Sequence, residues 1–213
     1  MNLSFRSNWL LLTLIILFFG FAWLSGIPFV RHFDKITLET IHSFDPSLLR
    51  FLLVPFAILG SVEISVTMLL LFSIWFYQKG ERKKACWTLC ALFVLTVIEL
   101  IMKQTFHHPP VPKSYQGRFP HVPGIGKIDI ETQFSFPSGH SLRSSLCLGT
   151  ALIWFDFIRP YLKVLIPLAL VYLGIQAFAL NFYGYHWLSD IMGGYWLTLI
   201  AIYTGNKVIH HGL

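Results

Sequence analysis

Two short stretches of this chain, Phe136-Pro-Ser-Gly-His-Ser141 and His186-Trp-Leu-Ser-Asp190, carry most of the information about its fold. Each stretch lies where a long apolar run meets a polar break, and each contains one histidine at an expected helix start. We therefore expect His140 and His186 to begin two different helices. We also expect the fold to bring the two imidazoles face to face in one pocket.

The composition indicates an integral membrane protein, because 55% of the 213 residues are hydrophobic and only 12% are charged. A soluble domain of this size seldom combines these values. Apolar runs of about 20 residues are long enough to cross a bilayer core of about 30 Å. The expected partner is therefore the bilayer. Nucleic acid is not expected, since no basic stripe is interleaved with aromatic residues, and the sequence does not indicate an oligomeric state.

The order of the apolar runs predicts an all-α, polytopic membrane protein with six transmembrane helices, in a single domain over residues 1–213. The predicted spans cover residues 9–30, 51–77, 85–106, 138–158, 164–183 and 186–209. Apolar residues recur at near-helical spacing between charges in the stretch 31–50, which predicts an amphipathic segment at the membrane interface. The connection 107–137 is long and rich in proline and glycine, and loops of this kind are often functional.

Six spans place both termini on one side of the membrane, and the distribution of Lys and Arg indicates which side. The side that holds the termini carries eight of these residues against six on the other, and its loops are much shorter. The positive-inside rule therefore predicts cytoplasmic termini in the plasma or inner membrane. The loop 107–137 and the starts of the fourth and sixth spans then share the outer side, where we expect the active site.

The stretch around His140 has the chemistry of an anion site. A proline and a glycine next to a new helix leave backbone N–H groups free, and the helix dipole favours negative charge at that position. The Ser138 hydroxyl can add a donor, and His140 can give a proton to a leaving oxygen. An ordinary capped helix with an interfacial histidine is the alternative interpretation.

The stretch around His186 pairs an imidazole with a carboxylate. The i, i+4 spacing of His186 and Asp190 predicts that the two side chains lie on one helix face. A carboxylate on one ring nitrogen would make the other a better nucleophile. Glu99 and Lys103 form a second i, i+4 pair near the outer end of the third span, where Lys103 can supply charge to a phosphate. Both pairs can instead be structural.

Together these motifs resemble the type 2 phosphatidic acid phosphatase superfamily, also called the vanadium haloperoxidase-like fold. The pattern of that family has three parts: a lysine followed after six residues by Arg-Pro; Pro-Ser-Gly-His; and Ser-Arg, five residues, His, three residues, Asp. The second part is complete here as residues 137–140. The third retains His186 and Asp190, and the first retains Lys103.

The resemblance implies a phosphatidic acid phosphatase-like helical bundle and a metal-independent lipid phosphatase with no cofactor. It implies that His186 forms a phosphohistidine, that Asp190 orients His186, and that His140 protonates the leaving oxygen and then activates water. It further implies that Lys103, Ser138 and Gly139 hold the phosphate oxygens. The implied substrate is a lipid phosphate or diphosphate, such as an isoprenyl diphosphate, phosphatidylglycerol phosphate, phosphatidic acid or lipid A.

Both arginines of the family pattern are absent, because Pro110 and Leu180 occupy their positions. The loss of two bidentate anion clamps would weaken transition-state binding unless another cation replaces them. Arg143 is the first candidate because it lies one turn after His140 on the same predicted helix. Further candidates for this replacement are His107, His108, Lys113 and Arg118, with Asn181 as a weaker one.

Three other functions remain open from the sequence. The same phosphohistidine could pass its phosphate to another lipid or sugar, which would make the protein a phosphotransferase. A non-catalytic relative would bind lipid or a partner protein without turnover. A zinc site is the third, since the chain contains several histidines, but no HExxH-like or CxxC spacing is present.

Overall fold

The computed structural model describes residues 3–121 and 132–211, and it is all-helical over those residues. The middle of the predicted outer loop, residues 122–131, lies outside the described residues. The helices are α1 (Leu3–Ser25), α2 (Pro28–His42), α3 (Ser47–Leu52), α4 (Val54–Ile58), α5 (Val62–Gln78), α6 (Arg82–Thr105), α7 (Gly139–Trp154), α8 (Leu162–Phe182) and α9 (Leu188–His211). Two 3-10 turns, Lys113–Tyr115 and Asp156–Tyr161, lie between α6 and α7 and between α7 and α8. The prediction of an all-α membrane protein is confirmed.

Four helical stretches of the described residues are long and apolar enough to cross a membrane. They are Asn8–Ser25, Ser47–Gln78, Arg82–Thr105 and Asp156–Phe182. The predicted fourth and sixth spans correspond to α7 and α9, which do not meet the same measure, so the count of six stays a prediction. Both helices carry Ser, Thr, Gly and charged residues that are buried inside the bundle. Because neighbouring helices cover them, α7 and α9 do not need an apolar surface.

The outer helices supply that surface. Large apolar side chains of α1, α5, α6 and α8 point away from the protein, among them Trp23, Phe93 and Leu170, each more than 60% exposed. An exposed apolar belt of this kind is expected where lipid is the solvent, since acyl chains are as apolar as leucine. The bundle therefore has an apolar outside and a partly polar inside.

The predicted second span is interrupted. Residues 51–77 do not form one helix, because α3, α4 and α5 break at Leu53 and again between Ile58 and Val62. Ser61 caps α5 by accepting the Ile64 N–H at 3.4 Å. At the second break, a Cβ on Gly60 would lie 2.2 Å from the carbonyl oxygen of His140. The break thus lets the backbone of this segment approach the start of α7.

The stretch predicted to be amphipathic, 31–50, forms most of α2 and all but the end of α3. Proline at the first position of α2 is compatible with a helix start, where its missing N–H costs nothing. Asp34 and Leu38 are buried on the inner side of α2, whereas Phe29 and Phe33 are exposed. The helix is therefore two-faced, and its location at the membrane interface stays a prediction.

The centre of the bundle is the contact between α7 and α9. The Ser138 N–H donates to the Asp190 carbonyl at 2.9 Å, and the Ser141 hydroxyl donates to the Ile191 carbonyl at 3.0 Å. One turn further along, the Ser145 hydroxyl donates to the hydroxyl of Thr198 at 2.8 Å. These bonds fix the start of one helix against the start of the other.

Gly194 makes this close contact possible. A Cβ at that position would lie 2.1 Å from the Ser141 hydroxyl oxygen and 2.5 Å from the Ser138 carbonyl oxygen. Because the second atom belongs to the backbone, no rotamer change can relieve the overlap. Gly194 therefore determines how near α9 comes to α7.

We predict that Gly194→Ala separates α7 from α9 and destabilises the protein by roughly 1–3 kcal/mol, the usual cost of overpacking. The matched control is Gly174→Ala on α8, where an added Cβ meets nothing within 4 Å. Thermal unfolding in detergent should show a lower midpoint for the first variant and an unchanged or higher midpoint for the second. Equal midpoints for the two variants would contradict the close-contact role.

Candidate active site

The two histidines of the sequence motifs face each other. His140 lies in the first turn of α7, two residues after the N-cap residue Ser138, whose hydroxyl accepts the Ser141 N–H at 3.3 Å. His186 comes from the segment between α8 and α9. The centroids of the two imidazole rings are 5.6 Å apart, with an angle of 58° between the ring planes. At this distance the two rings are close enough for one bound oxyanion to contact both of them.

Asp190 lies behind His186, but not in the way the spacing predicted. The helix begins at Leu188, so the expectation that His186 and Asp190 share one helix face is wrong. His186 Nδ1 lies 3.9 Å from Asp190 Oδ2, which is an electrostatic contact and too long for a hydrogen bond. Asp190 Oδ2 accepts the Trp187 N–H at 3.2 Å and so holds the turn that carries His186. Distances of this kind often shorten when substrate binds.

His186 is positioned from the other side by Asn181, the polar residue at the end of α8. The Asn181 side-chain amide donates to the His186 carbonyl at 3.2 Å. The Asn181 carbonyl also lies 3.2 Å from His42 Nε2, which ties the segment to α2. Asn181 therefore holds the backbone of His186, which differs from the phosphate-binding role that the sequence analysis considered for it.

A cluster of opposite charges lies beside the start of α7. Glu99 bridges two cations: its Oε1 lies 2.8 Å from Lys103 Nζ, and its Oε2 lies 3.0 Å from Arg143 Nη1. Arg143 also donates through Nε to the Gly60 carbonyl at 3.3 Å. The cluster contacts the Pro-Ser-Gly-His turn, because a Cβ on Gly139 would lie 2.0 Å from Glu99 Oε1. Lys103, Gly139 and Arg143 thus come together next to His140.

The other candidate cations go elsewhere. Arg118 donates to the His42 carbonyl at 2.7 Å and lies 3.6 Å from Asp45, while Lys113 is an exposed residue of the first 3-10 turn. The exposed His107 ring packs against Phe134 at 4.7 Å. Arg143 is therefore the candidate that the fold brings to the start of α7.

His108 has a role that the sequence did not reveal. Its ring is buried, and its Nδ1 lies 3.1 Å from Asp190 Oδ1. Its Nε2 lies 3.5 Å from Asp34 Oδ2 on α2. Burial lowers the pKa of His108, but hydrogen bonding and charge from Asp190 and Asp34 outweigh burial and raise it to about 9. Asp34 had no sequence signal beyond being a charge in an amphipathic stretch.

A cavity of about 380 Å³ opens beside His140. Its wall includes Ala57, Ile58, Ser61, Gln116, Gly117, Phe119, Pro120, His121 and Tyr185. The Tyr185 ring stacks on the His140 ring at 5.6 Å and 15°. The cavity therefore connects one of the two histidines, His140, to a space with both apolar and hydrogen-bonding walls.

Over residues 3–121 and 132–211, no three His, Cys, Asp or Glu side chains converge as metal ligands would.

In this membrane-embedded helical bundle, two histidines from separate helix starts face each other, with cations at one side. Such an arrangement is typical of proteins that bind phosphate-like oxyanions. The family model described as the PAP2 superfamily matches residues 84–210 of the 213. The chain therefore belongs to the PAP2 superfamily, which confirms the resemblance drawn from its motifs.

The fold is similar to that of a solved structure, described as the first transmembrane PAP2 type phosphatidylglycerolphosphate phosphatase from Bacillus subtilis. The TM-score is 0.72, the sequence identity is 16%, and the match covers 92% of this chain and 94% of that chain. At this identity the likeness shows a shared fold. No curated protein matches the sequence of the chain.

The charge cluster generates a test of the role of Arg143. We predict that Arg143→Met lowers stability by at most the roughly 3–5 kcal/mol that a broken buried ion pair costs, since Glu99 keeps Lys103. Adding Glu99→Gln should restore most of that stability, because Lys103 is partly exposed and can reach water. If Arg143 holds the anion, the double variant stays weak in binding inorganic phosphate by calorimetry. Recovery of wild-type phosphate affinity in the double variant would limit Arg143 to a counter-ion of Glu99.

Proposed function

We propose that this chain is a membrane lipid phosphatase that hydrolyses the phosphate ester or diphosphate of a lipid through a phosphohistidine on His186. The observation that supports this function best is the pair of imidazoles 5.6 Å apart, with a carboxylate behind one of them and two cations beside the other. An in-line phosphoryl transfer needs a nucleophile and an acid on opposite sides of the phosphorus atom. The two facing rings are the groups that we assign to these two roles.

In the first step, Nε2 of His186 attacks the phosphorus atom, since Nδ1 faces Asp190. The N–P bond forms as the bond from phosphorus to the lipid oxygen breaks. His140, in its protonated form, gives its proton to that oxygen, so the lipid leaves as a neutral alcohol or as a lipid phosphate. Asp190 stabilises the positive charge that develops on the His186 ring.

In the second step, His140 is neutral and takes a proton from water. The oxygen of this water attacks phosphorus, the N–P bond breaks, and inorganic phosphate leaves. His140 is then protonated again and His186 is neutral, so the enzyme returns to its starting state. No step in this sequence requires a metal or a cofactor.

Lys103, Arg143, Ser138 and the Gly139 amide are proposed to hold the phosphate oxygens. Lys103 and Arg143 share Glu99, so an arriving phosphate competes with this carboxylate for the two cations. The start of α7 adds its dipole to the same place. A developing negative charge is stabilised more strongly in such a water-poor site than in water.

The cavity beside His140 is proposed to receive the leaving group. The leaving oxygen lies opposite His186 in an in-line transfer and takes its proton from His140, whose ring borders the cavity. Ser61, Gln116 and His121 can hydrogen-bond a polar head group, while Ala57 and Ile58 can pack against an apolar one. This mixed lining is compatible with phosphatidylglycerol phosphate, phosphatidic acid, isoprenyl diphosphate and lipid A, which form the substrate panel to test in detergent.

The proposed orientation has cytoplasmic termini and an outward-facing active site. Gly80 and Gly117 lie on opposite sides in this topology, and a Cβ at either meets nothing within 4 Å, so the cost of each cysteine is the backbone strain of its positive φ of 79° or 96°. In a variant without native cysteines, Gly117→Cys should react with a membrane-impermeant maleimide in intact cells. Gly80→Cys should react only after the cells are permeabilised, and the reverse result would invert the topology.

The two-step chemistry predicts different defects for the two histidines. His186→Ala should abolish phosphate release, because no N–P bond can form. His140→Ala should still react once with p-nitrophenyl phosphate, whose leaving group needs no proton, and then stall. We expect a stoichiometric burst of nitrophenol and a phosphoprotein that is labile in acid and stable in base, as phosphoramidates are. The exposed His32→Gln variant is the matched control and should keep wild-type turnover.

Phosphate release in excess chelator is the measurement that separates the proposal from the alternatives. Undiminished release from a lipid phosphate supports metal-independent hydrolysis. Label that moves to a second lipid with little free phosphate would identify a phosphotransferase. Lipid binding without turnover across the whole panel would contradict an enzymatic function.

A further inference from the structure

A buried row of ionisable groups extends from the proposed active site to α2. Asp190 lies between two histidines, with His108 Nδ1 at 3.1 Å from Oδ1 and His186 Nδ1 at 3.9 Å from Oδ2. On its far side, His108 Nε2 lies 3.5 Å from Asp34 Oδ2. Asp34, His108 and Asp190 are each no more than 2% exposed. The row thus joins three separate parts of the chain behind the proposed nucleophile.

Polar neighbours hold each member of this row in place. Asp34 accepts the Ser189 N–H at 3.0 Å and the Ser189 hydroxyl at 2.6 Å, which fixes α2 to the first turn of α9. The Ser135 hydroxyl lies 3.0 Å from His108 Nδ1 and donates to the carbonyls of His108 and Pro109. Ser135 thereby receives the Nδ1–H of His108. Asp190 Oδ1 has no hydrogen-bond donor of good geometry among the described residues, so His108 acts on it mainly through charge.

The charge balance supports an imidazolium at this position. Two buried carboxylates side by side without a cation would be costly, because a buried ion needs a partner. The pKa of His108 near 9 means that the ring carries its charge at neutral pH. The family pattern has an arginine at position 110, where this chain has Pro110. In the connection after α6, the charged side chain that reaches Asp190 is His108, two residues earlier. Its charge supports Asp190, whereas the proposed phosphate cations lie beside His140.

We propose that His108 is a positioning residue for the proposed phosphatase reaction: as an imidazolium held between Asp34 and Asp190, it keeps Asp190 ionised and directed at His186. This inference rests on the proposed function of His186 as the nucleophile. When His108 loses its proton, Asp190 loses its nearest cation, and a buried carboxylate without a cation is harder to keep ionised. Without this cation the Asp190 carboxylate is held less firmly toward His186, so it stabilises the charge that develops on His186 during attack less well.

The proposal gives turnover a defined pH dependence. The groups that face His108 are Asp34 from α2 and Asp190 from α9, and Arg31 and His107 line the cavity next to it. Because its pKa is raised from 6.5 to about 9, the stabilisation from its charged form is complete below pH 6.5 and is lost as the pH rises through about 9. We expect kcat to fall over that upper range.

The kinetic experiment compares three variants on p-nitrophenyl phosphate, whose leaving group needs no proton, so that loss of the His140 proton does not itself lower kcat. His108→Gln keeps a polar side chain but removes the charge. It should lower kcat by about 10- to 100-fold, which is the usual loss when a group that orients a metal-binding histidine is removed. KM should change by less than about threefold. Asp34→Asn keeps an acceptor for Ser189 but removes one carboxylate from His108. It should move the alkaline limb of kcat by about one pH unit to lower values and leave kcat near pH 6 close to that of the wild type.

His32→Gln is the matched control, because it makes the same substitution at an exposed histidine. His32 lies on α2, the helix that also carries Asp34. It should leave both kcat and the pH profile unchanged. A purely structural His108 would lower the thermal midpoint of the His108→Gln variant without moving the alkaline limb in Asp34→Asn. Wild-type kcat in His108→Gln, or an unmoved alkaline limb in Asp34→Asn, would overturn the proposal.

A second readout separates this proposal from the proposed function. Histidine labelled with ¹⁵N reports by NMR whether His108 is charged at pH 7, and this needs no turnover. If the wild type hydrolyses no lipid phosphate, the proposed function fails, while a charged His108 that titrates at lower pH in Asp34→Asn still supports the buried row. A His108 ring that is neutral at pH 7 would overturn the positioning role even in an active enzyme.

Discussion

The hydrogen bond from the Ser138 N–H to the Asp190 carbonyl, 2.9 Å long, is the contact on which the proposed site depends. It joins the first turn of α7 to the first turn of α9 and so fixes the distance between the two motifs. His140 follows on one side of this bond, and His186 precedes it on the other. Because Gly194 lets the helix backbones approach so closely, the two imidazoles come within reach of one oxyanion.

The location of the site explains the unusual composition of the central helices. A backbone or side-chain polar group in the membrane must be satisfied inside the protein. The hydroxyls of α7 and α9 bond to each other and to helix carbonyls, and the apolar belt lies on the surrounding helices. The helices next to the proposed site, α7 and α9, therefore do not need the apolar surface of a membrane span, because they belong to the bundle interior.

Two ionic clusters flank the histidine pair: one sets two cations against one carboxylate, and the other sets two carboxylates against one imidazolium. On the α6 side, Glu99 lies between Lys103 and Arg143. On the α2 side, His108 lies between Asp34 and Asp190. Buried ions are tolerated when each has a partner. The two clusters also place the excess cation and the excess carboxylate on different sides of the histidine pair. Cations are exposed to the proposed phosphate on one side, and carboxylate is presented to the proposed nucleophile on the other.

The class of fold and the family could be predicted from the sequence, because they follow from local properties. These properties are the lengths of the hydrophobic runs and the spacing within the two motifs, Pro-Ser-Gly-His and His-x3-Asp. The sequence also predicted the amphipathic character of the stretch 31–50, which forms most of α2 and all but the end of α3. The prediction that His186 and Asp190 share one helix face was wrong, and the sequence did not show the breaks within the second span, since helix starts and breaks depend on capping and on close packing. Only the packing of the helices decided that Arg143 meets Glu99 and that His108 lies between Asp34 and Asp190. These contacts join residues 44 to 82 positions apart, and no local pattern records which buried charges will become neighbours when the helices pack.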